Sequence, residues 1–377
     1  MSSSEQLYNC LMDTVQPLVP ATTFRQLANW MWITVGILQS GSVALSQIAT
    51  YIPGATQAES RVTQIRRWLM NLQVDSWTFY RPLLARALAG WKAVKVYVVL
   101  DGVMVFGNRW QIFRLSLLHG NRAIPLVWAV VPGTGLVQVE RLEAMLTRAA
   151  HFLQGRVKQV VFLADRGFRD WDWAQLCRRL GWDYVIRVTS NTWVTLLDGW
   201  TGRIDQLGVL PGQVRTFAAV WLTHEQQWWA HLTVSWTQGD DQQAPELLAL
   251  ISSKGAAPAR LREYGQRMQV EQSFRDDKSA GFDLEHTRLQ HADRLERLLL
   301  ALALATLWCH ELGEKVLAGG ETLRRLIDPG EERELSLFQL GLRWLKRCIA
   351  TALDRLPKFR DHLSPLKLNP VVKPTTS

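Results

Sequence analysis

The chain has 377 residues, 47% of them hydrophobic, enough to bury one large core or two to three smaller ones, which excludes a peptide, a disordered tail and a collagen-like fibre. Lysine and arginine number 43 against 34 aspartates and glutamates, a formal net charge of +9, so the surface is expected to attract a polyanion, nucleic acid first. The four cysteines, Cys10, Cys177, Cys309 and Cys348, are far apart and form no C-x-x-C pair; neither a disulfide framework nor a thiolate zinc site is indicated, and a reducing cytoplasm fits.

From the start, Met-Ser-Ser-Ser-Glu lacks the basic segment and apolar run of an export signal. The longest uncharged apolar stretch, Leu298 to Trp308, falls well short of the roughly 20 residues that span a bilayer, so a soluble intracellular protein with no membrane partner is expected. Residues 1–90 read as helical. Leu27, Trp30 and Met31 open one periodic stretch, and Val62, Ile65, Leu69 and Leu72 form a stripe on another. Ile52-Pro53-Gly54-Ala55 breaks the pattern between Val43–Tyr51 and Gln57–Leu72, and the second segment carries Arg61, Arg66 and Arg67. A helix-turn-helix that contacts DNA and a plain pair of packed helices both fit these residues.

From Lys95 the period changes. Val96–Leu100 is a continuous β-prone run, and alternating stretches at Gln111–Leu118 and Ile124–Val130 complete an antiparallel meander. A helix over Val137–Phe152, a strand at Gln159–Leu163, a helix over Trp171–Leu180 and a strand at Tyr184–Val188 follow. The order β-β-β-α-β-α-β is the ribonuclease-H-like one, an α/β fold with a mixed sheet and helices on its faces, occupying residues 91–190 and 253–318. Residues 191–252 interrupt it with β-rich pieces containing Trp193, Trp200, Trp221, Trp228, Trp229 and Trp236, most of which are expected in the core. Exposed members of that set would stack on unpaired bases. Beyond a helix over Ala259–Lys278 and a long apolar helix over Arg294–Val316, residues 319–377 form a basic helical region ending in a proline-punctuated tail.

Three acidic positions carry the chemistry. Asp101 ends the buried run Val96–Leu100, and Asp165 ends Val160–Ala164; if the two strands are neighbours, both carboxylates emerge at one end of the sheet, where they are costly unless they meet a cation or base. On the Ala259–Lys278 helix, Tyr264, Arg267, Glu271, Arg275 and Lys278 fall within an arc of about 80° at about 100° per residue. An ordinary solvated face would look the same. Combined with two strand-end aspartates, a carboxylate flanked by cations suits a metal that must meet a phosphate. Oxygen ligands favour Mg²⁺ or Mn²⁺ over zinc, and a shared carboxylate can hold two ions.

These residues resemble a family. Tyr264-Gly-Gln-Arg267-Met-Gln-Val-Glu271, continued to Lys278, matches the Y-x2-R-x3-E-x6-K signature of bacterial insertion-sequence DDE transposases, downstream of Asp101-Gly102 and Asp165-Arg166-Gly167-Phe168 in the expected order. The resemblance spans about Val96 to Lys278, with a weaker likeness of residues 1–90 to a domain that binds terminal inverted repeats. It implies that Asp101, Asp165 and Glu271 ligate two metal ions per site. It implies that Tyr264, Arg267 and Lys278 grip DNA near the cleaved end; the helical stripe adds Arg275, and the helix-turn-helix reading adds Arg61, Arg66 and Arg67, as further expected DNA contacts. It further implies hydrolysis at the element's ends, joining of the freed 3′-hydroxyls to target DNA, a homodimer that holds both ends, and a place in the bacterial cytosol at the nucleoid. Some related enzymes cut the second strand through a DNA hairpin, using an aromatic residue near the last insertion strand. Leu247–Ile251 has none here, leaving Trp228, Trp229 or Trp236 as substitutes. A nuclease with the same three acids and no strand transfer, and a non-catalytic DNA-binding descendant of a transposase, are the alternatives.

Competing chemistry is weak. The eight histidines show no H-E-x-x-H spacing, and no P-loop occurs, so no nucleotide cofactor is expected. Asp170 and Asp172 open a helix, where acidic residues are ordinary, and Ser252-Ser253-Lys254 resembles a nucleophilic pair only superficially.

Overall fold

The computed structural model describes residues 2–19, 24–92, 94–120, 122–133, 138–223, 228–237, 244–268, 282, 284, 289–351 and 363. The chain divides into two units. The first comprises Met1–Lys92, Gly102–Thr134 and Gln269–Leu368; the second comprises Ala93–Asp101, Gly135–Met268 and Asn369–Ser377.

In the first unit the N-terminal helices are α1 (Ser3–Val15), α2 (Phe24–Ser40), α3 (Leu45–Ala49), α4 (Ala58–Leu69) and α5 (Ser76–Ala87). Their starts are set locally. The Ser2 hydroxyl accepts from Glu5 N at 3.3 Å while the Glu5 carboxylate accepts from Ser2 N at 2.7 Å, and the Asp75 carboxylate accepts from Thr78 N at 2.7 Å. The breaker before α4 lies where expected. The stripe Val62, Ile65 and Leu69 is buried, but Leu72 falls beyond the end of α4 and is 80% exposed. Strands β2 (Trp110–His119) and β3 (Arg122–Pro132) pair antiparallel, with a bulge between Leu115 and Ser116. The long apolar helix is α9 (Ala292–Ala318), followed by α10 (Gly320–Arg325) and α11 (Leu337–Thr351). Helix α9 is buried from Leu298 to Gly313 and packs against α2, α4, α5, α10, α11 and β3, so it is the hub of this unit. It approaches α11 closely because Gly313 and Gly341 carry no Cβ: one would overlap the Leu337 carbonyl and the other the Cys309 carbonyl. Glu296 on α9 accepts from Val130 N at 3.0 Å, satisfying a backbone donor of β3.

The second unit holds β1 (Lys95–Val105) up to Asp101, then α6 (Val139–Leu153), β4 (Gln159–Ala164), α7 (Trp171–Arg179), β5 (Asp183–Val188) and the short helix α8 (Ala259–Gly265). Residues 191–252 supply β6 (Trp193–Thr195), β7 (Thr201–Arg203), β8 (Arg215–Leu222), β9 (Trp228–Trp236) and β10 (Leu247–Ser252). Strand β1 is common to both units, and the sheet order is β3-β2-β1-β4-β5-β10-β9-β8-β6-β7. Its first five members, with β1, β4 and β5 parallel, have the ribonuclease-H-like arrangement. The insertion is no separate sheet: β10 pairs antiparallel with β5 and continues the same ladder. Alternation in β9 is as expected on one face, where Trp228, Ala230, Leu232 and Val234 are buried. Fewer indoles are core than expected: of the six, Trp228 alone is buried, Trp193, Trp200 and Trp236 are half-buried, and Trp221 and Trp229 are 37% and 42% exposed.

Candidate active site

Strand register builds the site. In the parallel pair β1–β4, Val99 lies opposite Leu163, and the same register carried two residues on brings Asp101 level with Asp165. In the pair β4–β5, Ala164 lies opposite Ile186, so one residue further Asp165 is level with Arg187. Asp101, Asp165 and Arg187 thus stand at one level on three adjacent strands, whose backbones run about 4.8 Å apart. Asp165 holds extended backbone (φ −82°, ψ −176°), and its carboxylate accepts from Gly167 N at 2.8 Å, which opens the turn Arg166–Phe168. Asp101 does not terminate its strand: the buried run stops at Leu100, whereas β1 goes on to Val105.

Helix α8 follows β1 up to this level. Glu263, 7% exposed, accepts from Lys95 Nζ at 2.7 Å and Tyr97 Oη at 3.0 Å and faces Arg260 at 2.6 Å, tying the helix to β1. Burial opposes the charge on Lys95, yet its bonds to Glu263 and Tyr97 prevail and raise its pKa. At the other end the Arg267 guanidinium donates to Asp101 Oδ2 at 3.3 Å, with both side chains largely buried, and sits 5.8 Å from the Tyr264 ring centroid. The Tyr264 phenol is pushed up chiefly by burial; the Asp165 charge adds to this, and Arg267 and Arg187 oppose it. Asp101, Asp165, Arg187, Tyr264 and Arg267 therefore share one neighbourhood.

The expected unbroken helix over Ala259–Lys278 is corrected: α8 stops at Gly265, and residues 266–267 form a turn, so a continuous helical wheel does not describe Arg267. Glu271, Arg275 and Lys278 lie outside the described residues. Among the described residues no group of three histidines, cysteines or acids is placed to hold a metal. The donor set that is described consists of two carboxylates at one level, one of them already facing a cation. Hard oxygen donors of this kind fit Mg²⁺ or Mn²⁺.

Sequence reasoning missed Arg187. The signal was present, a charge inside the apolar strand Tyr184–Val188, but only register shows that it stands beside Asp165. Arg187 also pairs with Glu246, which Arg166 approaches at 3.6 Å; the hydrogen bond from Arg187 holds the Glu246 carboxyl below the usual carboxylate range. The tryptophans have distinct settings. Trp228 is buried, its ring 4.8 Å from that of Trp171, and Trp236 donates to the Val209 carbonyl at 2.8 Å. Trp229 is exposed beneath the Arg178 guanidinium at 5.3 Å. Of the N-terminal arginines, Arg66 and Arg67 are exposed, while Arg61 donates to the Ile52 carbonyl at 2.7 Å.

A protein-family model described as the transposase DDE domain matches residues 109–308, more than half of the chain, and the chain belongs to that family. The match includes Asp165, Tyr264, Arg267 and Glu271 and begins eight residues after Asp101. No curated protein matches. Among solved structures the chain is similar to a piggyBac transposase synaptic complex with hairpin DNA, at 12% identity over 94% of this chain and 84% of that one, with a TM-score of 0.43. A Marinitoga piezophila Argonaute in complex with guide RNA and target DNA is similar at 8% identity over 64% of this chain and 34% of that one, with a TM-score of 0.23. Family membership rests on the sequence match. Among the described residues no helix is long and apolar enough to cross a membrane.

Proposed function

We propose that this transposase binds the terminal inverted repeats of an insertion sequence, cleaves the element's ends by metal-dependent phosphodiester hydrolysis and joins the freed 3′-hydroxyls to target DNA. The observation that carries the reading is the row of Asp101 and Asp165 on adjacent parallel strands, with Arg187 level with them and Arg267 on the Asp101 carboxylate. Asp101, Asp165 and Glu271 would hold Mg²⁺ or Mn²⁺, two ions per site, with Asp101 shared. When bound, such ions supply Lewis-acid polarisation of the scissile phosphate and ease deprotonation of the attacking oxygen. The protein's own cations do the positioning. Arg187, Arg267, Arg275 and Lys278 hold backbone phosphates by charge-assisted hydrogen bonds, and Tyr264, kept protonated by its burial, donates to one of them. Two ends have to be cut and joined together, so two copies act on one pair of ends in the cytosol.

The test uses the full chain with a donor plasmid carrying its gene and flanking repeats, a target plasmid and Mg²⁺. Breaks at the repeat ends followed by joined products support the reading. End cleavage with no joining reduces the protein to a nuclease. Binding with no cleavage, in Mg²⁺ and in Mn²⁺, overturns catalysis altogether.

A further inference from the structure

In the second unit, Arg187 of β5 and Arg166 of the turn after β4 face one carboxylate supplied by a third element, Glu246 at the entry to β10. The two carboxylate oxygens are divided between them: Oε1 bonds Arg187, and Oε2 lies 3.6 Å from Arg166. The backbone fixes where that carboxylate stands. Glu246 N donates to Thr237 Oγ1 at 2.9 Å and the Glu246 carbonyl accepts from Thr237 N at 2.8 Å, one rung beyond the pair of Trp236 and Leu247.

The fold does not depend on this contact. Strand β10 is already paired with β9 over Leu247–Ser252 and with β5 over Ala249–Ser252. The side chains of Glu246 and Arg166 are 49% and 58% exposed, and ion pairs so open to water stabilise little. That exposure also leaves the seat within reach of a ligand. A negative group whose two oxygens are split between two guanidinium groups copies what the non-bridging oxygens of a phosphodiester would do there. Arg187 is moreover level with Asp165, so the seat adjoins the acids proposed to act on DNA.

We propose that Glu246 is a stand-in for a DNA phosphate: it fills an anion seat formed by Arg166 and Arg187, and a backbone phosphate of the element's end displaces it on entry. The proposal rests on the transposase reading above, adds Arg166 to the phosphate contacts and makes Glu246 a residue that sets selectivity. A stray polyanion held by charge alone has to expel a carboxylate of like charge. A phosphate delivered by a duplex already held elsewhere on the protein meets that cost with its other contacts.

The experiment is fluorescence anisotropy with the full chain and a labelled duplex from the repeats flanking the gene, in metal-free buffer over a range of salt concentrations. Glu246→Gln keeps the side-chain length and should tighten binding at least fivefold, with a salt slope steeper by about 0.9 for one added phosphate contact. In an Arg187→Ala background the same change should alter affinity less than twofold. Glu143→Gln removes an equal charge from another arginine pair, Glu143 and Arg179 at 2.7 Å, and should also stay within twofold. Glu246→Asp keeps the net charge but draws the carboxylate back by one methylene, and it should tighten binding at least twofold even if Glu246→Gln fails to melt cooperatively. Affinity unchanged in both Glu246 variants overturns the seat. So does a gain that survives Arg187→Ala or that Glu143→Gln reproduces, since either reports net charge alone. If the unsubstituted chain binds neither this duplex nor a shuffled one, the proposed function is at fault and the seat falls with it.

Discussion

Arg267 holds the Asp101 carboxylate in a half-closed setting, and a divalent ion on the same oxygen would have to displace it or share it. Arg267→Ala is therefore expected to bind Mn²⁺ several-fold more tightly than the unsubstituted chain by calorimetric titration, even as it loses DNA affinity; equal Mn²⁺ affinity would show that the pair does not compete with metal. Asp101→Ala should abolish end cleavage in a gel assay and leave repeat binding within about twofold, because it removes a proposed metal ligand and no phosphate contact. Cleavage surviving that change would overturn the assignment. Arg187→Ala, which takes the cation out of the row beside Asp165, should slow cleavage at least tenfold in single-turnover kinetics. Asp101 and Asp165 were legible in the sequence because a carboxylate directly after an apolar strand has few structural uses. Arg187 was not legible in the same way, since one charge in a strand signals nothing until the register of the neighbouring strand is known.

At the level of elements, the strap after β10 explains Ser252-Ser253-Lys254 without nucleophilic chemistry. Ser253 Oγ accepts from Tyr184 N at 3.0 Å and donates to Asp183 at 3.2 Å, while Lys254 lies 2.9 Å from the same carboxylate. Burial alone would raise the Asp183 pKa, but hydrogen bonds from Gln159, Lys254 and Ser253 and the Lys254 charge outweigh it and leave it lowered. A carboxyl depressed on folding stabilises above its unfolded pKa, and that contribution fades as pH falls through the folded value. Lys254→Ala should thus lower the melting temperature near neutral pH and have little effect once the solution is acidic enough to protonate Asp183, as read by thermal scans from neutral to pH about 2. In the first unit, Gly341→Ala places a methyl against the Cys309 carbonyl of α9, and backbone cannot rotate away as a side chain would. A loss of about 1–3 kcal/mol in denaturant unfolding is expected. Periodicity located α9 and the breaker before α4 correctly. It overran at Leu72, and it missed the turn at residues 266–267 within the Ala259–Lys278 segment, which has no proline and no glycine beyond Gly265 to announce it.

For the whole molecule, the excess of nine positive charges is expected to govern how the proposed transposase meets DNA. Affinity for any duplex is expected to fall steeply and linearly with salt on logarithmic axes, as counterion release requires, and a flat salt response in anisotropy would contradict backbone-dominated binding. The amino-acid sequence by itself determined the fold class and the order of the core strands and helices, and it marked Asp101 and Asp165 as carboxylates after apolar runs and a polyanion as the expected partner, since each is written in local periodicity, composition and short spacing. Tertiary structure alone decided which strands adjoin and in what register. It thereby set Asp101 level with Asp165 and Arg187, merged the insertion strands into the central sheet and buried α9. Contacts between residues distant in the chain depend on how hydrophobic faces find one another, and no local pattern encodes that choice.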